Sequence, residues 1–599
     1  MGMDTEHNAG ADRGLLLTRL GVGLIQGLAL FGLSEAAERK VWPVSDRPLF
    51  IALVVLALAA GPVILSGLGS LKRRALIVWS VVALSVVAAV GWMEGYRGLD
   101  GFETIPSPLV MVAVLVGLFI AHSLIVAAAR DRARIAGYPT YFDVSWKHGV
   151  QLVLALAFTG IFWAVLGIGA ALFGMIGVKA FAQVIGERWF AIPSSALAFA
   201  VAVHLTDVRL GLIQGVRTVA LTLLGWLLPL LAGLTLAFLL ALPFTGLEPL
   251  WKTGSAAMIL VGAGASLILL INAAYQDGGR EKPLPVALRS AMRLGGLLLL
   301  PLTVLAAYAL WLRIGQYGLT IERIIAVAGV VVGACYAVGY AIAVVLPGPV
   351  MRRLEPTNVA TSIVGLVVLL ALLSPLADPV RLSVDNQVSR LLAGKVKPAD
   401  FDFDYLRFGS GQMGTRALDR LSKAGGDIGR LAREAKARTS RSYDAALGAE
   451  QTAEDAKVYP AGKALPEAFK ARWKGLASGM CRKELPACEA FLLDLNGDGR
   501  EEVLLSAGGP AVLFEQDAKG VWARQGEINP AVVCAKDDPW VAFRAGRAQV
   551  RPSRWNEIDL NGARWTVQPD QTPCLDVTLT VTTTPPTVEE GGKAGGKAK

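Results

Sequence analysis

The sequence predicts an all-α polytopic membrane bundle of about eleven helices, followed by an α+β extracytoplasmic domain. Three observations carry this. Of 599 residues, 54% are hydrophobic and 18% charged, with a mean hydropathy of +0.50, whereas a soluble domain carries about 25% charge. The apolar residues gather in runs near the ~20 residues that cross about 30 Å of hydrocarbon. Those runs stop at Ala377, and four of the five cysteines come after it. A single soluble enzyme is excluded.

Residues 1–14 are polar and read as a cytoplasmic N-terminus. The run 15–34 is longer than the core of a secretory signal and has no small-residue cleavage site behind it, so it reads as a retained helix. Further spans fall at 49–69, 75–93, 109–129, 150–178, 189–205, 218–243, 255–275, 292–312, 324–346 and 361–377. The long 150–178 run and the short 189–205 run leave ten or twelve spans open, and the bundle occupies 15–377.

Loop charge orients it. With the N-terminus inside, Arg13 and the inner loops hold 16 basic residues, Lys72, Arg73, Arg74, Arg130, Arg132 and Arg134 among them, against nine in the outer loops. Cytoplasmic loops carry such an excess. An odd span count then puts the C-terminal part outside. Of the net charge of +10, most lies before Asp378, where 26 basic residues face 18 acidic ones. Membrane lipid is the implied partner, with a periplasmic or envelope protein as a further one. Nucleic acid is not implied, since that needs a basic face on a soluble domain.

Cys481, Cys488, Cys534 and Cys574 all lie in this C-terminal part, and an even set fits disulfides in an oxidising compartment. Four unpaired thiols are the alternative; zinc fits poorly, because no C-x2-C spacing and no histidine occur here. Of three connectivities, proximity favours Cys481–Cys488 with Cys534–Cys574. Residues 378–487 read as a mostly helical juxtamembrane region, in which Leu418, Leu421, Ile428 and Leu431 form an apolar stripe interrupted by Gly425 and Gly426. Residues 488–581 read as a β-rich, disulfide-bonded domain with strands at Phe491–Leu493, Val503–Leu505 and Ala511–Phe514. The Thr/Pro and Gly/Lys-rich tail, 582–599, reads as disordered.

Between the first two of these strands runs Asp494-Leu-Asn496-Gly-Asp498-Gly499-Arg500-Glu501-Glu502. Oxygen side chains at positions 1, 3, 5 and 9 with Gly at 6 make a compact hard-ligand loop suited to Ca2+. Leu505 stands where an EF-hand has its bidentate Glu, so this is not an EF-hand. The loop resembles the strand-loop-strand calcium motif of FG-GAP and VCBS repeats, in a single copy. That resemblance implies Asp494, Asn496, Asp498, Arg500 (through its backbone carbonyl) and Glu502 as ligands. A metal-free Asx/Gly hairpin is the alternative.

Inside the membrane half, ionisable residues are the functional candidates, because burying them is costly. His122 lies mid-span, and His204 and Asp207 stand three apart on one helix face. They can relay protons or bind a polar ligand. Alternatively, His122 donates one hydrogen bond to a neighbouring helix and Asp207 sits at the interface beside Arg209. Arg19, near the inner boundary, is expected to snorkel to the headgroups. Gly23 with Gly27, and Gly329 with Gly333, permit close helix packing, and Pro62, Pro229 and Pro301 can kink their spans. Neither a P-loop, H-E-x-x-H, G-x-S-x-G nor a dinucleotide fingerprint occurs, so no nucleotide or redox cofactor is evident and no catalytic residue is assigned.

Leu17-Thr18-Arg19-Leu20, Gln316-Tyr317-Gly318-Leu319-Thr320-Ile321-Glu322-Arg323, Ser374-Pro375-Leu376-Ala377-Asp378 with Arg381-Leu382-Ser383, and Phe401-Asp402-Phe403-Asp404-Tyr405-Leu406-Arg407-Phe408 resemble domain-of-unknown-function family 4153. This resemblance covers roughly the first 440 residues and implies a multi-pass inner-membrane protein without an assigned reaction. Tyr317, Thr320, Glu322 and Arg323 are expected to meet Tyr405, Arg407 and Phe408 as a docking surface, or to act as plain interfacial anchors. The expected function is non-enzymatic: presentation of a periplasmic domain for envelope interaction or sensing. A secondary transporter using His122, His204 and Asp207 is the alternative, and a membrane-embedded transferase a weaker one.

Overall fold

The computed structural model describes residues 2–98, 104–208, 210–248, 250, 256–279, 284–346, 351–438, 451–477, 480–481, 487–508, 510–517, 520–528, 539–550, 558–560 and 563–565. The chain divides into two compact units, 1–441 and 442–599.

The first unit contains α1 (Gly2–Arg39), α2 (Arg47–Gly67), α3 (Arg73–Arg97), α4 (Pro108–Asp131), α5 (Tyr138–Met175), the short α6 (Ala180–Gly186), α7 (Arg188–Val208), α8 (Leu210–Thr245), α9 (Ala256–Tyr275), α10 (Val286–Tyr317), α11 (Ile321–Val345) and α12 (Leu354–Leu373). Among the described residues, eleven helices, all of these but α6, are long and apolar enough to cross a membrane. That is the span count the hydrophobic runs predict, because every backbone polar group in hydrocarbon must be satisfied within its own helix. Starts follow local chemistry as well: the Asp46 carboxylate accepts the Leu49 amide at 3.2 Å to cap α2.

Small residues bring helices together. A Cβ on Gly27 would fall 2.5 Å from the Pro193 Cα, so α1 and α7 can approach this closely only with glycine there. The Gly23/Gly27 pair therefore serves packing inside the bundle. α5 departs from the expectation at its N-terminus: it begins at Tyr138 and runs 38 residues, about 57 Å at 1.5 Å per residue. The segment that reads as an inner loop, with Lys147 and His148, is thus helical.

Beyond the last span, Pro379–Leu392 forms α13, whose N-cap Asp378 accepts the amides of Val380 at 2.9 Å and Arg381 at 3.4 Å. A π-turn at Tyr405–Gly409 leads to α14 (Gly411–Leu421) and α15 (Gly426–Ala437). Gly425 and Gly426 separate the last two, and Leu418 and Leu421 are buried in a core with Val384, Leu391, Phe401 and Phe403.

The second unit has a five-stranded sheet in the order β1 (Lys457–Tyr459), β2 (Glu489–Leu493), β3 (Glu502–Ser506), β4 (Ala511–Gln516) and β5 (Trp522–Ile528), with a separate hairpin of β6 (Ile558–Leu560) and β7 (Ala563–Trp565). β1 pairs parallel to β2 and the remaining neighbours are antiparallel. This unit starts at 442, and Leu465, Phe469 and Trp473 pack into the same core as Leu492, Val503 and Phe514. Alternation sends Val503 and Leu505 to that face and Leu504 to the other, beside Phe491. Cys481 and Cys488 form a disulfide with Cα atoms 5.5 Å apart. Cys534, Cys574 and the tail 582–599 lie outside the described residues.

Candidate functional site

Three polar constellations stand out in the first unit. At one end of the bundle, where α1, α2, α5 and α7 meet, Arg19 is 1% exposed. Its guanidinium donates to the Leu68 carbonyl at 2.8 Å and to the Asp207 carboxylate at 2.6 Å, and lies 3.2 Å from His204 Nδ1. Lys147 Nζ donates to the other Asp207 oxygen at 2.8 Å. The expectation that Arg19 snorkels is corrected: α7 brings it a carboxylate, which compensates burial in a way that solvent access would otherwise have to. Gly69, at φ +89°, turns the chain over this group, and a Cβ there would lie 3.1 Å from the Asp207 carboxylate. Arg209 lies outside the described residues.

His122 does not join His204 and Asp207. It accepts a hydrogen bond at Nδ1 from the Trp79 indole of α3, 2.9 Å away. Its ring centroid lies 4.9 Å from that of His148. The two rings border a cavity of about 150 Å³ between α2, α4, α5 and α7, whose other polar lining residues are Ser66 and Gln151. Sequence reasoning missed His148, because it precedes the apolar run of its helix. The i, i+3 spacing of His148 and Gln151 was the signal available.

Where α3 ends and the chain leaves the last span, Arg97 donates to Asp378 at 2.9 Å and to Glu94 at 3.0 Å, with all three side chains at or below 5% exposure. Glu94 also accepts the Ser107 amide at 3.2 Å. This cluster ties α3 to the start of α13. The Tyr317 and Tyr405 segments meet through α13 rather than directly. Tyr405 donates to the Ser383 hydroxyl at 2.8 Å, Ser383 donates to the Leu319 carbonyl at 3.2 Å, and Gln387 donates to the Tyr317 carbonyl at 2.9 Å. Arg323 sits over the Tyr317 ring and Arg407 over that of Phe408. Thr320 caps α11, its hydroxyl accepting the Arg323 amide.

In the second unit, the Asp494 carboxylate accepts the amides of Gly497 at 2.7 Å and Gly499 at 3.0 Å, Asn496 accepts that of Asp498 at 2.9 Å, and Asp498 that of Arg500 at 2.8 Å. Glu502 accepts the Leu495 amide at 2.6 Å. Burial pushes its carboxyl up, reinforced by the nearby charges of Asp498 and Asp494, while the Leu495 amide opposes the rise. The loop joins β2 to β3, and its side-chain oxygens are engaged as Asx turns. Among the described residues, no three His, Cys, Asp or Glu side chains are grouped to hold a metal.

The family model described as Domain of unknown function (DUF4153) matches residues 49–421. No curated protein matches the chain, and no solved structure does.

Proposed function

The chain belongs to the DUF4153 family, whose description assigns no activity, and from its own residues we propose that it is a non-enzymatic inner-membrane protein that presents its C-terminal unit to the periplasm for envelope interaction or sensing. The carrying observation is the Cys481–Cys488 disulfide in the unit that follows eleven span-length helices. Disulfides persist in oxidising compartments, and an odd span count with basic inner loops points the same way. Alkaline phosphatase fused after residue 380 is expected to be active. An inactive phosphatase with a fluorescent cytoplasmic reporter at the same point would sink the orientation.

Within this reading the Asp494 loop binds Ca2+ through Asp494, Asn496, Asp498, Glu502 and the Arg500 carbonyl. Such an extracytoplasmic site has a dissociation constant on the order of 10⁻⁴–10⁻³ M. Ten times that concentration would stabilise the unit by about 1.4 kcal/mol. In the full-length protein, Asp494→Ala is expected to abolish the calcium-dependent rise in melting temperature, and Glu501→Ala to keep it. The metal-free Glu502 carboxyl lies above its ordinary range, so protons compete with calcium for it and the apparent calcium affinity is expected to fall as pH falls through that range. A calorimetric titration without heat at neutral pH would reduce the loop to a polar hairpin.

A further inference from the structure

The cavity between α2, α4, α5 and α7 has a polarity gradient. It is lined along α2 from Val55 to Ser66 and along α4 from Met111 to His122. Each stretch advances eleven positions, about 16 Å at 1.5 Å per residue, roughly half of a hydrocarbon core about 30 Å thick. The walls are apolar over that length, and Ser66, His122, His148 and Gln151 form one end. Ser66 is the penultimate residue of α2, so the polar end lies at that helix's C-terminus, while α4 runs on nine residues past His122. Leu115 lines the slot and is 52% exposed, so the slot borders the lipid-facing surface.

The polar end has unmet hydrogen-bonding capacity. The Trp79 indole can only donate, so His122 Nδ1 must be the acceptor and the neutral ring carries its proton on Nε2. That Nε2 is buried, with the Ser66 backbone beside it and no hydrogen bond of full geometry. His148 Nδ1 is also buried without a partner. A donor on Nε2 disfavours a metal bridging the rings, because that nitrogen has no lone pair to give. It calls for an acceptor oxygen. The charges beside His148 complement an anion: Lys147 and Arg19 share the single carboxylate of Asp207, a net positive group.

The geometry points to a phospholipid site: one acyl chain of an anionic glycerophospholipid fills the slot, and its ester or phosphate oxygens accept from His122 at the polar end. A hydrated solute would have to shed its water against apolar walls, whereas a methylene chain is matched to them.

The test uses the full-length protein in nanodiscs containing phosphatidylglycerol with a diazirine in its acyl chain. Photolysis is expected to label peptides 55–66 and 111–122, with competition by unlabelled phosphatidylglycerol and not by oleate. His122→Leu is expected to lower that labelling about tenfold, the loss expected for one hydrogen bond to a charged acceptor. Val114→Trp, which fills the slot, is expected to remove it while the elution volume on size exclusion stays unchanged. If Val114→Trp misfolds, Val63→Phe replaces it. Labelling spread evenly over all lipid-facing helices, or unchanged in both variants, overturns the site. Equal competition by oleate overturns its selectivity for a phosphate-bearing headgroup.

Discussion

Replacing Arg97 by Met is expected to destabilise the first unit by about 3–5 kcal/mol, the range for breaking a buried ion pair by removing one partner. Arg97 is the cation recorded between Glu94 and Asp378, and all three side chains are at or below 5% exposure. Its loss strands two carboxylates, at the point where the chain leaves the bundle and α13 begins. The readout is the melting temperature of the purified protein, with protease cutting after residue 378 as a report on α13 docking. Asp378→Asn separates the contributions. Asparagine still caps α13 and leaves Arg97 with Glu94, so the cost should fall to about 1–3 kcal/mol, that of one charged hydrogen bond. An Arg97→Met protein that melts with wild type would show that the cluster adds nothing net to stability.

Asp207→Ala is expected to cost a similar ~3–5 kcal/mol, because it leaves the Arg19 guanidinium buried without its counter-charge. The two cations on Asp207 should behave differently. Arg19 is 1% exposed, while the Lys147 side chain retains 26%. Lys147 can turn its ammonium to water, so Lys147→Met should cost under about 1 kcal/mol. In the double variant Arg19→Met/Asp207→Asn no charge is stranded, and it should melt above Asp207→Ala alone. If Lys147→Met proves as damaging as Asp207→Ala, the lysine and not the arginine anchors the group.

Much of the architecture was legible. Eleven apolar runs became eleven span-length helices, and Phe491–Leu493, Val503–Leu505 and Ala511–Phe514 lie within β2, β3 and β4. β5 was not legible: Ala523, Arg524 and Gln525 are exposed at a sheet edge, so the strand carries no alternating apolar pattern. The start of α5 was missed for a related reason. Its first turns lie before the continuous apolar run and include His148, whose burial comes from neighbouring helices and not from its own segment.

The same distinction divides the polar residues. His204 and Asp207 share a helix face by their spacing alone, and Cys481 and Cys488, seven residues apart, pair locally. Arg19 meets Asp207 across 188 positions and Arg97 meets Asp378 across 281. Span number is written in the sequence because the bilayer demands of each segment, separately, about 20 apolar residues and internally satisfied backbone. Which charge meets which, and where His122 and His148 enclose a slot, depends on the packing of helices distant in the chain. The shapes of facing small and large side chains settle that packing, and no local pattern along the chain encodes it.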